Sequence, residues 1–162
     1  AAAGLKIPVH TGNASDFDFL EGAWIVRHRR IAPGGKDWIE FPGTMRHHRL
    51  VGGVANAEEY HIAIPGSPYD ALAVRTFDSN ARAWSIWWFD SRYPALGLGT
   101  PVRGGFSGDT GLFFAEETVS GPPGLLRFVW ERLSSGRARW EQAQSADGRN
   151  WLPNWTMDFA RA

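Results

Sequence analysis

Clusters of glycine, proline, asparagine, aspartate and serine punctuate this 162-residue chain at short intervals. They read APGGKD (32–37), VGG (51–53), IPGSPYD (64–70), FDSNAR (77–82), SGDTG (107–111), SGPPG (120–124), LSSGR (133–137) and SADGRN (145–150). Each supplies the positive φ or preset φ that a tight turn needs. Between them lie short runs rich in aromatic and β-branched residues, the composition of strands. The spacing predicts strands over 23–31, 38–50, 54–64, 69–77, 83–90, 101–107, 111–119, 124–132, 138–145 and 151–161. No stretch holds a helical period with a cap. The exception is SDFDFLEG (15–22), where Ser15 or Asp16 can cap one short helical turn that stops at Gly22. Strands joined mainly by hairpins leave two unpaired edges unless the sheet closes on itself. The expectation is a single all-β domain over 1–162: an up-and-down antiparallel barrel of 8–10 strands behind an extended segment, 1–14.

The run AWSIWWFD (83–90) sharpens this picture. A strand sends successive side chains to opposite faces, so Trp84, Ile86 and Trp88 share one face and Ser85, Trp87 and Phe89 the other. Both faces are apolar. One lines the barrel interior, and the other needs cover from the N-terminal segment, a long loop or a second subunit, which makes a homodimer a possible partner arrangement. With nine tryptophans in the chain, an aromatic-lined cavity for a small molecule is the functional expectation.

Charge and composition exclude other classes. Lysine plus arginine balance aspartate plus glutamate at 17 each, so bulk electrostatics offer nothing to nucleic acid or a membrane surface. Cysteine is absent, which removes disulfides, thiolate metal sites and cysteine catalysis. No apolar run reaches the ~18–20 residues of a helical span, and the opening AAAGLKIPVH has no basic-then-apolar leader. A cytoplasmic location is expected, with the periplasm and the exterior left open.

FLEGAW (19–24) places Gly22, Ala23 and Trp24 at the mouth of the first strand, just after the helical turn, and Arg161 lies in the last, in MDFARA (157–162). The pair resembles the G-x-W signature of lipocalins and related calycin barrels. That resemblance implies that Trp24 plugs the barrel floor and that Arg161 packs across it. RLVGGVANAEEY (49–60), RTFDSNARAWSIWW (75–88) and WEQAQSADGRNWLPNWTMDF (140–159) extend the likeness to a group of bacterial lipocalin-like domains with no assigned function. The chain departs from haem-binding small barrels, where a late-strand histidine ligates iron, because its last histidine is His61. No cofactor and no metal are expected.

With Trp24 inward, parity carries Val26, His28 and Arg30 inside. The next strand presents either Arg46 and His48 or His47 and Arg49. Thr44 and Leu50 favour Arg46 and His48. Asn56, Glu58, Tyr60 and Ile62 follow, and the small Ala71 and Ala73 leave room beside Arg75. Arg127, Gln142 and Gln144 are also placed toward the cavity. The walls for a ligand are then Trp84, Trp88, Trp140 and Trp155, and the anion clamp is Arg46 or Arg75, with Arg127 and Gln144 as further contacts. If the cavity carries lyase, isomerase or cyclase chemistry, Glu58, His48 and Tyr60 are its proton-transfer groups, with burial raising the pKa of Glu58. The structural alternative pairs Glu58 with Arg46 or Arg75 in a satisfied network.

Overall fold

The computed structural model describes residues 5–8, 10–117 and 124–162. Ten strands form one closed antiparallel barrel. They are β1 (Gly22–Ile31), β2 (Trp38–Leu50), β3 (Ala55–Ile62), β4 (Tyr69–Asp78), β5 (Ala83–Asp90), β6 (Val102–Ser107), β7 (Thr110–Glu117), β8 (Gly124–Ser134), β9 (Arg137–Ser145) and β10 (Leu152–Arg161). Each pairs with its neighbour in sequence, and β1 pairs with β10 to complete the ring. Every edge is thereby consumed. The strands fall within a residue or two of those expected; the end of the run 111–119 and most of the turn 120–124 lie outside the described residues. Helical structure is limited among the described residues to three 3₁₀ turns, Asp18–Leu20, Val51–Gly53 and Pro94–Leu96.

One end of the barrel is a floor. The turn Asp18–Leu20 delivers Phe17 and Leu20, both fully buried, under the barrel. Trp24 is 1 % exposed, and its indole N–H donates to the Leu20 carbonyl at 2.8 Å. The Arg161 guanidinium lies 4.1 Å from the centre of the Trp24 ring and donates to the carbonyls of Glu21 and Phe19. Gly22 has φ +106°, and a Cβ there would approach an Arg161 nitrogen to 3.1 Å. A glycine at this point therefore serves both the turn and the crossing arginine.

The described part of the N-terminal segment crosses β6 and β7. Gly12 N–H donates to the Arg82 carbonyl at 2.7 Å, and His10 stacks on Phe114 at 5.5 Å. Gly105 has no side chain because the backbone of Gly12 would lie 2.5 Å from its Cβ. Trp87 and Phe89 point outward and stay half-buried.

The loops β1–β2, β3–β4, β5–β6 and β9–β10 gather at the opposite end, the mouth. The floor connections β4–β5, β6–β7 and β8–β9 are tight turns.

Candidate functional site

Inward-facing side chains divide into a polar layer and an aromatic one. Asn56, Glu58 and Tyr60 alternate on β3, with Arg75 on β4 and His47 on β2, and all five are buried. Arg75 Nη1 donates to Glu58 Oε1 at 2.6 Å and to Asn56 Oδ1 at 2.9 Å. Tyr60 donates its hydroxyl to Glu58 Oε2 at 2.6 Å, and His47 Nδ1 lies 3.2 Å from Oε1. The guanidinium sits 4.1 Å from the Phe17 ring centre and 5.5 Å from that of Trp130. Burial alone raises a carboxyl pKa. Here the charge of Arg75, with help from His47, overrides it and holds Glu58 down at about 2. Burial and the Glu58 charge push the Tyr60 hydroxyl well up, so it keeps its proton.

This corrects the expectation of a raised Glu58 pKa. The carboxylate is ionised and held by three donors, two on Oε1 and one on Oε2, which suits a structural anchor more than a proton acceptor.

His48 and Arg46 are corrected too. Both point outward. Trp24 lies directly across from Met45 in the β1–β2 register, and directly opposed residues share a face. Phe41, Gly43, Met45 and His47 therefore point inward, and His47 meets Glu58 where His48 was expected. Arg46 lines a groove of about 750 Å³ on the outer face of β1–β5, beside Ile25, Leu72 and Phe89.

Above the polar layer the interior is aromatic. Trp155 meets Trp88 at 5.6 Å and Trp140 at 5.4 Å, edge to face in both cases, and Phe128 meets Trp140 at 4.9 Å. Trp88 also packs on Tyr60 at 5.4 Å. Ile39, Trp88, Leu126 and Phe128 face inward yet stay partly exposed, because the barrel is open here. His28, wholly buried, stacks on Phe41 at 4.9 Å and accepts the Trp155 indole N–H on Nδ1 at 3.2 Å. An indole only donates, so the His28 proton sits on Nε2. Burial first, then the charge of Arg30, lowers its pKa to about 4.

The rim of this aromatic cup is polar. Arg30 lies 4.5 Å from the centre of the Trp155 ring and donates to the Tyr69 hydroxyl at 3.2 Å. Its Nε is buried with no partner, and it has no carboxylate within 4.0 Å among the described residues. Arg92 covers the Tyr69 ring at 3.9 Å but is neutralised by Asp90, which it grips at 3.0 Å through Nε and again through Nη2. Asp90 also accepts the Trp88 indole N–H at 3.0 Å. On the far wall Gln142 donates to Asn154 at 2.9 Å, and Asn154 to Gln144 at 3.3 Å.

The other expected contacts fall as follows. Trp88, Trp140 and Trp155 form the cup, with Gln144 at its rim. Trp84 shares their face but belongs to the floor, where it meets Phe17 edge to face at 5.2 Å and donates to the Asn13 carbonyl at 3.0 Å. Arg127 points outward, since Leu126 and Phe128 hold the inward positions; it stacks on Trp151 at 4.5 Å and meets Glu141 at 3.3 Å. Arg75 is inside but committed to Glu58. Arg30, Tyr69, Asp90 and Arg92 were missed as site residues. The signal for Arg30 was present in its parity with Trp24. Among the described residues, no three His, Asp or Glu side chains converge as a metal site requires.

The enclosed space between the two layers is small. It measures about 20 Å³ and is walled by Glu58, Tyr60 and Arg75 below and by Trp88, Phe128 and Trp140 above. That is room for one water-sized group.

No protein family and no curated protein matches this chain. Among solved structures it is similar to Rv2717c from M. tuberculosis, with a TM-score of 0.60 and 12 % identity over 94 % of this chain and 99 % of that one. A redesigned beta barrel aligns over 96 % of this chain and 99 % of its own with a TM-score of 0.45 and 14 % identity. At these identities the first likeness concerns the fold alone.

Proposed function

We propose that this chain is a lipocalin-like binding barrel that takes a small, largely aromatic molecule carrying an oxygen anion, seated in the cup at the mouth. The observation that carries this reading is Arg30. It is a partly buried cation with no carboxylate partner among the described residues, stacked on Trp155 over an open aromatic cup. A planar guanidinium in that setting grips a carboxylate or enolate with two parallel hydrogen bonds. The anion completes a site whose remaining surface is apolar. The polar layer below is self-satisfied at Glu58, which favours a binding role over proton-transfer chemistry.

Calorimetric titration with 2-naphthoate and its neutral counterpart 2-naphthalenemethanol tests the reading. The expected result is that the acid binds about tenfold tighter or more, the weight of a charge-assisted pair. Arg30→Gln should remove that preference while leaving the alcohol's affinity in place. Equal affinities in the unaltered protein would refute the assignment of Arg30 as the anion clamp.

A further inference from the structure

The small cavity between the layers is walled almost entirely by aromatic and aliphatic side chains, yet three polar groups border it: Glu58, Tyr60 and Arg75. Arg75 is 1 % exposed, and its Nε–H has no acceptor among the described residues. Glu58 Oε2 accepts only from Tyr60, and the Tyr60 oxygen, having donated, keeps its lone pairs. Both Arg75 bonds use Nη1, so Nε and Nη2 are without an acceptor among the described residues, and the compartment borders unspent donors and spare acceptor capacity at a site with room for a single oxygen atom. A group that both accepts and donates satisfies it. A water does so, and so does a hydroxyl. A methyl, an ether or a second carboxylate does not.

Only side chains separate this compartment from the cup. Trp88 and Phe128 wall it on the mouth side, and both are partly exposed from above. Trp88 is latched by one hydrogen bond, its indole N–H to Asp90. The compartment borders Met157, and Arg30 covers Trp155, two residues further along β10. That step is about 7 Å along a strand. A two-ring aromatic body with a polar group at each end has a length of the same order as that backbone step.

We infer that the compartment between Glu58, Tyr60 and Arg75 is a hydroxyl-reading pocket, so that the ligand class is a hydroxyaryl carboxylate, its acid on Arg30 and its hydroxyl in place of one water below Trp88. This rests on the mouth reading above and adds to it the identity of the ligand's far end. Entry of the hydroxyl requires the Trp88 ring to leave Asp90 and turn aside.

Calorimetry with 6-hydroxy-2-naphthoate against 2-naphthoate tests it on the unaltered chain. The expected result is at least tenfold tighter binding of the hydroxy acid, and loss of that advantage in Tyr60→Phe, read as the ratio of the two acids' affinities in the same variant. Equal affinities in the unaltered protein would overturn the hydroxyl pocket and leave the Arg30 site standing. An advantage that persists in full in Tyr60→Phe and in Arg75→Lys would overturn it too, since the hydroxyl would then be read elsewhere. Failure of both acids to bind would refute the mouth site itself and with it this extension.

Discussion

Glu58 and Arg75 face each other across β3 and β4 at 2.6 Å, at positions where neither side chain is more than 1 % exposed. Removing one partner leaves the other charge buried and alone. Glu58→Met or Arg75→Met is expected to cost about 3–5 kcal/mol. The combined variant Glu58→Met with Arg75→Met should be less destabilised than the sum of its parts, because no bare charge remains. Urea unfolding of the three variants measures this, and additive losses would show that the pair is not energetically coupled.

Acid stability should fall in two separable windows. His28 titrates near 4 in the fold and near 6.5 as a free side chain. Its depressed pKa contributes stability that is whole above pH 6.5 and is lost as the pH drops toward 4. Glu58 drops from 4.5 to about 2, so its contribution is whole above pH 4.5 and is lost below that, worth about 3 kcal/mol in all. Denaturant midpoints followed from pH 7 to pH 2 should show His28→Gln flattening the upper window alone. Glu58→Gln should flatten the lower one. A profile that neither variant changes would contradict both assignments.

Gly43 lies inward on β2, beneath the His28 ring. A Cβ there would come 2.9 Å from His28 Nε2 and 2.6 Å from the His61 carbonyl oxygen. Gly43→Ala is therefore expected to lower stability by about 1–3 kcal/mol through overpacking, although alanine is better than glycine for an ordinary strand. The thermal midpoint reads this directly. An unchanged or higher midpoint would mean that the His28 ring does not occupy the space above residue 43.

At the floor, Trp24→Ala should cost about 3–5 kcal/mol, since a fully buried indole leaves a cavity that β1 and β10 cannot close. Arg161→Ala should cost far less, about 1 kcal/mol, because the guanidinium is solvent-exposed and loses only its stacking and its bonds to two carbonyls. Chemical denaturation of the two variants compares them. Equal losses would make Arg161 part of the core and not a latch over it.

Most of the strand pattern was legible because turn chemistry is local. A glycine at φ +73°, as at Gly148, or +62°, as at Gly108, announces itself in the sequence. The inward faces of β1, β3 and β4 were legible as well, since Val26, Ile62, Ala71 and Ala73 mark them. On β2 residues 46–49 put one arginine and one histidine on each face, so that stretch alone held no information; but Ile39, Phe41 and Met45 alternate with Glu40, Pro42 and Thr44 and marked the inward face, and the weight placed on Thr44 and Leu50 passed over them. The pairing of Trp24 with Met45 fixes the same face. Trp84 and Trp88 share a face but lie at opposite ends of the barrel, so one tryptophan joins the floor and the other the cup. Which arginine lacks a carboxylate was beyond reach, because counter-ions are set by three-dimensional neighbours. Fifteen arginines look alike in the sequence, and it takes the fold to give Arg75 its Glu58 and Arg92 its Asp90 and to leave Arg30 without one among the described residues.

The seam between β1 and β10 joins Trp24 to Arg161, residues 137 positions apart. During synthesis the segment that forms β1 leaves the ribosome long before its partner exists. Until Arg161 emerges, the nascent chain can be at most an open sheet with β1 as an unsatisfied edge, ready to pair with any strand it meets. Closure therefore waits until β10 has emerged. The rate at which that last seam zips, set by the longest loop in the molecule, governs how long the growing chain stays vulnerable to aggregation or in need of a chaperone.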